Sequence, residues 1–387
     1  RAFNITDFEE IMKIAIMTQP LGKNYGGMMQ AYALQKVLRD LGHDVTTIDY
    51  NYPETSLARK MARLPYRFLQ KITGARKAPI NLEAKLPYIL ENTQQFIKQN
   101  IAMSEYIDNE ANLNKHFNVN NYNVVIVGSD QTWRPQYSPN IYNFYLDFLK
   151  QNKNIKKIAY ASSFGVDNWE YTEEQTAKCA ELATLFNAIS VREESGVELC
   201  KKHLNVKSEC VLDPTLLLTK EDYIELLGNK YKGGKGKGVF SYVLDNSQAK
   251  MAVTENVSKQ LTTHAFKCQA KCSLGSLTSS SLQDYKMPAV QDWLASFANA
   301  EFVVTDSFHG MVFSIMFEKP FIVIVNKERG AARFESLLRK FDGTKYLVND
   351  PKEILDGRID IKAITPLNVT KVSTNKQSAL LFLQQNI

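Results

Sequence analysis

Apolar and polar positions along this chain fall into blocks that read as buried strands followed by amphipathic helices. Lys13–Thr18 is a short apolar run closing in a turn, the pattern of a strand covered on both faces. Gly26-Gly27 opens Met28–Leu41, in which Met28, Tyr32, Leu34, Val37, Leu38 and Leu41 recur at helical spacing. Gly42 stops that helix and Val45–Tyr50 reads as the next strand, completing a βαβ unit. Val124–Val127, Lys157–Ala161 and Ala188–Val191 are further strands, each running into a polar or glycine-containing loop.

The second half repeats the alternation. Gly238–Leu244 predicts a strand, Ala249–Leu261 a helix, Phe302–Thr305 a strand and His309–Phe317 a helix. Phe321–Val325 and Arg333–Phe341 add a strand and a helix, and Ser373–Gln385 reads as a closing helix packed back across the halves. The expected architecture is α/β, with two Rossmann-like, doubly wound domains facing a cleft. Residues 12–190 form the first, with a basic helical insertion at about 53–118; residues 191–345 form the second, and 346–387 a tail.

Composition narrows the class. At about 150 residues per domain, 387 residues make two or three domains. A chain that is 44% hydrophobic and 23% charged is not disordered as a whole. No apolar run is long enough to span a bilayer. Arg1–Ile11 lacks the apolar core of a secretory signal, and Met12 reads as a natural start. Five scattered cysteines argue against a disulfide framework and for a reducing compartment, so a cytoplasmic protein is expected.

The 47 Lys and Arg against 41 Asp and Glu leave a net charge of +6, which suits anionic substrates or a membrane surface better than nucleic acid. Seven of those basic residues, and no acidic one, fall between Thr55 and Leu82, interleaved with Leu57, Met61, Leu64, Phe68, Leu69 and Ile72. Arg59–Lys77 is therefore either a peripheral contact for an anionic membrane or a solvated helical insertion. Pro65 divides it into two short helices.

Four loops stand at strand ends, where α/β sheets bind ligands. Asn24-Tyr25-Gly26-Gly27 is either a tight strand-to-helix turn or a place where backbone amides approach a ligand. Gly128-Ser129-Asp130-Gln131-Thr132-Trp133 combines a carboxylate, an amide, hydroxyls and an indole, a palette for sugars; Asp130 is a candidate base or a helix cap. Arg192 emerges from a buried strand and needs an anion, either a ligand or Glu193, Glu194 or Asp213. In Thr305-Asp306-Ser307-Phe308-His309-Gly310, His309 sits near a helix N-terminus, suited to an anion or to proton transfer, unless the loop is only a capped helix. No Walker loop, G-x-G-x-x-G, G-x-S-x-G or zinc-ligand spacing occurs, so neither cofactor nor metal is expected.

Taken in order, six segments resemble the polysaccharide pyruvyl transferases: N-Y-G-G-M-M-Q-A-Y-A-L-Q at 24–35, V-V-I-V-G-S-D-Q-T-W at 124–133, A-Y-A-S-S-F-G at 159–165, I-S-V-R-E-E-S-G at 189–196, V-L-D-P-T-L-L-L at 211–218 and F-V-V-T-D-S-F-H-G-M-V-F-S at 302–314. The resemblance implies a GT-B-like fold. It also implies transfer of pyruvate from phosphoenolpyruvate onto two hydroxyls of a hexose, giving a cyclic ketal and phosphate. The acceptor would be a galactose- or mannose-type unit of a bacterial capsule or exopolysaccharide, or of its lipid-linked precursor.

On that resemblance His309 and Asp130 are the expected catalytic residues. Arg192, Ser307, Phe308, Gly310 and Arg333 lie on the donor side; Asn24, Tyr25, Gly26, Gly27, Ser129, Gln131 and Trp133 lie on the acceptor side. Some relatives carry Arg-x-His where this chain has Ser307-Phe308-His309; Lys327, Arg329 and Arg333 are the candidates to supply the missing cation. Two other readings share the fold: a nucleotide-sugar glycosyltransferase, and a glycan-binding relative without turnover.

Overall fold

The computed structural model describes residues 10–387 apart from positions 54, 235, 246, 326–329 and 369. Seven parallel strands form the first sheet: β1 (Lys13–Met17), β2 (Asp44–Tyr50), β3 (Met103–Ile107), β4 (Val124–Gly128), β5 (Lys156–Ser162), β6 (Ala188–Val191) and β7 (Glu209–Cys210). Their order is β3-β2-β1-β4-β5-β6-β7. The second sheet holds β8 (Val239–Tyr242), β9 (Ala265–Phe266), β10 (Phe302–Thr305), β11 (Phe321–Ile324) and β12 (Leu347–Val348), ordered β12-β11-β10-β8-β9 and parallel throughout. Both are doubly wound, as the alternation of apolar runs predicts.

Helices cover the sheets. The ones that matter for the site and its surroundings are α1 (Tyr25–Asp40), α2 (Leu57–Ala62), α3 (Leu64–Ile72), α4 (Val290–Ala298), α5 (Phe308–Met316), α6 (Ala332–Lys340) and α7 (Thr370–Asn386). The central strands of both sheets are buried along almost their whole length, which is why they read as unbroken apolar runs. Edge strands are different. β3 is half exposed, and β7, β9 and β12 are two residues each, too short to leave a period in the sequence.

The boundary expected at 190/191 falls inside the first sheet, because Glu209 and Cys210 pair in parallel with Ser190 and Val191. Asp213, just beyond β7, therefore sits at the sheet's C-terminal end. The closing helix α7 returns to the first half, with the Phe382 ring 6.1 Å from Tyr160 and Lys156 Nζ donating to the Ile387 carbonyl at 2.6 Å.

Each sheet has one point where its strand order reverses: between β1 and β4, and between β8 and β10. Loops leaving two such neighbours run in opposite directions and open a crevice at the C-terminal ends of the strands. The two crevices face each other, and Tyr25 spans them. Its ring stacks on Trp293 of α4 at 5.0 Å, and its hydroxyl donates to the Pro288 carbonyl at 2.8 Å.

Candidate active site

A cavity of about 610 Å³ occupies the junction. Gln19, Asn24, Asp130 and Gln131 line it from the first sheet's crevice, and Leu244, Asp306, Ser307, Phe308 and His309 from the second. Lys23, Arg134 and Arg333 supply the cationic part of the wall, while Tyr52, Tyr106 and Tyr137 supply an aromatic part.

Two helix N-termini meet at its floor. Asn24 caps α1, its side-chain oxygen accepting the Gly26 N–H at 3.0 Å. Ser307 caps α5 in the same way, accepting the Gly310 N–H at 3.3 Å. The His309 imidazole then lies directly on Gly26: a Cβ built there would come within 2.1 Å of Nδ1. Gly26 is thus required by close approach across the cleft. At Gly310 the same space is filled by Thr305, whose Oγ1 would lie 2.2 Å from a Cβ, so this glycine packs the turn and does not face the cavity.

Behind the wall runs a buried chain of charge. Asp213 Oδ2 accepts from Arg192 Nη1 at 2.9 Å and from Ser129 Oγ at 3.0 Å, and lies 3.7 Å from His309 Nε2. That last separation is longer than a hydrogen bond. Oδ1 accepts from the Thr215 hydroxyl and N–H. Burial alone would raise the Asp213 carboxyl; His309 and the Arg192 guanidinium outweigh it and hold the group well below the usual carboxylate range.

Arg192 Nη2 also lies 3.5 Å from Asp130 Oδ1. Its burial disfavours the cation, and Asp213, Asp130 and Glu193 more than offset this. The Phe308 ring carries guanidinium groups of Arg192 at 4.5 Å and Arg333 at 5.9 Å from its centroid. Burial first, and then the Arg192 charge, push Arg333 down to about 10.

The structure brings most of the sequence-predicted residues together and reassigns several. His309, Asp130, Gln131, Asn24, Ser307, Phe308 and Arg333 stand on the cavity wall. Arg192 and Ser129 lie one layer behind it, bound to Asp213, so Arg192 is placed to position its neighbours and not to touch a donor. Gly27 lies beside Asp130, where an added Cβ would stand 3.5 Å from Oδ2. Tyr25 belongs to the contact between halves.

Trp133 is a correction. It is fully buried, stacked on Tyr145 at 4.8 Å, with its indole N–H donated to the Phe144 carbonyl, so it covers no sugar. Asp130, in the left-handed region at φ 66°, turns the chain so that residues three apart face opposite ways. Of the cations proposed to replace the arginine absent at Ser307, Arg333 lines the cavity, and positions 327 and 329 lie outside the described residues. Sequence reasoning missed the three tyrosines and treated Asp213 only as a pairing partner for Arg192. The signal available for Asp213 was its place in V-L-D-P-T-L-L-L; the tyrosines carried none.

The family model for polysaccharide pyruvyl transferase matches residues 24–328, which holds all four loops. The chain belongs to the polysaccharide pyruvyl transferase family. No curated protein sequence matches it. Among solved structures it is similar to a UDP-GlcNAc 2-epimerase from Methanocaldococcus jannaschii, at 11% identity and TM-score 0.54, covering 97% of this chain and 99% of that one. A UDP-GlcNAc 2-epimerase from Neisseria meningitidis bound to UDP-GlcNAc aligns at 9% identity and TM-score 0.52, over 97% and 100% of the two chains. A glycosyltransferase from Rickettsia africae aligns at 11% identity and TM-score 0.50, over 97% and 94%. At these identities the likeness is one of fold, and the pyruvyl transferase has the GT-B architecture of two Rossmann-like domains.

Proposed function

We propose that the enzyme transfers pyruvate from phosphoenolpyruvate to two hydroxyls of one hexose unit. The observation that carries this is the cavity wall itself, where His309 and Asp130 stand beside two capped helix N-termini and the buried Arg333. Phosphoenolpyruvate brings a phosphate and a carboxylate, and helix N-termini with a guanidinium are suited to both. A bound anion would also offset the burial and the charge repulsion that depress Arg333.

In this scheme His309 donates a proton to the methylene carbon, and C2 takes on cationic character. One sugar hydroxyl adds there, losing its proton to Asp130, which stands on the same wall. The C2–O bond to phosphate then breaks, and phosphate leaves with that electron pair and takes the proton held by Asp130. The second hydroxyl closes the ketal while passing its proton to His309, which returns both groups to their starting states. Asp213 keeps the imidazole oriented, and Arg192 holds Asp213 and Asp130 in place. Tyr52, Tyr106 and Tyr137 line the cavity, and their rings would supply the apolar component that hexose recognition requires.

Thermal shift decides the donor. Phosphoenolpyruvate should raise the unfolding temperature, by about 2.7 kcal/mol of stabilisation at about a hundredfold excess over Kd, and Arg333→Gln should weaken the effect. Stabilisation by UDP-N-acetylglucosamine with none by phosphoenolpyruvate would overturn the proposal in favour of nucleotide-sugar chemistry. Phosphate release in the presence of methyl galactosides and methyl mannosides, with product mass raised by pyruvate less water, then identifies the acceptor class.

A further inference from the structure

The short helix α3 is amphipathic and faces the wrong way for water. Leu64, Phe68 and Ile72 repeat every four residues, and Pro65 and Leu69 widen the same face. In a surface helix that face turns to the core. Here Phe68, Leu69 and Ile72 are 57%, 57% and 68% exposed, and Met61 of α2 and Tyr66 join them at 61% and 66%. These five make up nearly a third of the sixteen large exposed hydrophobic residues among the described ones, within twelve positions of the chain. The polar side does the docking. Arg67 turns inward, its side chain 17% exposed, forking onto the Glu83 carboxylate and bonding the Ile80 carbonyl at 3.0 Å.

Arg59, Arg63 and Lys71 are exposed in and beside the two helices, and no acidic residue lies between positions 55 and 82. An apolar face rimmed by cations matches one surface in chemistry, a bilayer carrying anionic headgroups. We infer that α2 and α3 dock the enzyme on an anionic membrane surface, with Met61, Phe68, Leu69 and Ile72 inserted at headgroup depth.

Position brings α3 near the active site: a second cavity of about 300 Å³ has Arg67 of α3 and Lys23 on its wall, and Lys23 also lines the main cavity. The docking is independent of which donor the enzyme uses. Within the segment Arg59–Lys77, Arg67 is committed to Glu83 and is not a headgroup contact.

Flotation of the full chain with vesicles tests this, using phosphatidylcholine alone and an equal mixture with phosphatidylglycerol. Binding to the mixed vesicles, weakened by salt and absent on phosphatidylcholine, is expected. Replacing Arg59, Arg63 and Lys71 together by Gln should lower vesicle affinity on the order of 10²-fold, at about 1 kcal/mol per charge. Replacing Phe68, Leu69 and Ile72 together by Ser should abolish binding, while the unfolding temperature stays within a few degrees of the parent because these side chains are exposed. Equal binding to both vesicle types, no binding to either, or binding retained by the Ser variant overturns the inference. A dimer in solution that the same Ser variant dissociates would assign the face to a second copy instead.

Discussion

His309 Nε2 stands 3.7 Å from Asp213 Oδ2, and the two residues belong to different halves of the molecule. Asp213 follows the last strand of the first sheet, and His309 opens a helix after the middle strand of the second. Their contact places the imidazole over the cleft and ties it to the Arg192 guanidinium through one carboxylate. The chemistry therefore depends on how the halves are docked.

Replacing His309 by Gln should lower phosphate release from phosphoenolpyruvate by about 10²- to 10⁴-fold, the usual share of a general acid. Thermal stability should fall by less than in Asp213→Asn, because Arg192 still pairs with the buried carboxylate. Turnover within a factor of two of the parent would remove His309 from the proton transfer.

Gly26 and Gly27 are adjacent yet should respond in opposite ways. Gly26→Ala drives a methyl into the His309 ring and should cost about 10²-fold in kcat, since small displacements of a reacting group are that expensive. Gly27→Ala meets Asp130 Oδ2 at 3.5 Å, ordinary contact, and should retain activity while stabilising α1 by up to about 1 kcal/mol. Steady-state kinetics on both, with denaturant midpoints, check the contrast.

Asp213→Asn leaves the Arg192 cation buried with its main partner neutralised, and should destabilise the fold by about 3–5 kcal/mol. The pH dependence follows from the sign of the shift. A carboxyl held lower in the folded chain contributes stability that is fully present above its unfolded value of about 3.9 and is lost as pH falls toward its folded value. Unfolding free energies measured on either side of about pH 4 should fall more steeply with acid in the parent than in Asp213→Asn. Parallel acid limbs would contradict the assignment.

Trp133 and Tyr52 separate core from cavity wall. Trp133→Ala should cost about 3–5 kcal/mol in stability, as a large core truncation does. Tyr52→Ala should leave stability nearly intact and raise the acceptor KM by up to about tenfold, the worth of one aromatic contact. Kinetics at saturating phosphoenolpyruvate distinguish the two.

The strands of the two sheets' centres were legible because each is buried on both faces and so is written as a continuous apolar run. Phe302–Thr305 and Ala188–Val191 match the observed strands to the residue. β3 was not legible, since Met-Ser-Glu-Tyr-Ile at a half-exposed edge carries no such run. The four strand-end loops were also legible, through their glycines and their polar residues after apolar stretches. Asp130 and Trp133, three positions apart in one of them, show the limit: one reaches the cavity and the other the core, and only backbone direction tells them apart.

Local order along the chain determined the α/β class, the two doubly wound halves, the polar loops at the strand ends and the basic amphipathic character of the insertion. All of these are written in the period and type of neighbouring residues. Tertiary structure alone decided that Arg192 serves Asp213 behind the wall, that Tyr25 and Gly26 join the halves, that three tyrosines line the cavity and that α3 turns its apolar face outward. Each of these depends on which distant segment fills the space beside a residue, and no pattern of near neighbours encodes that choice.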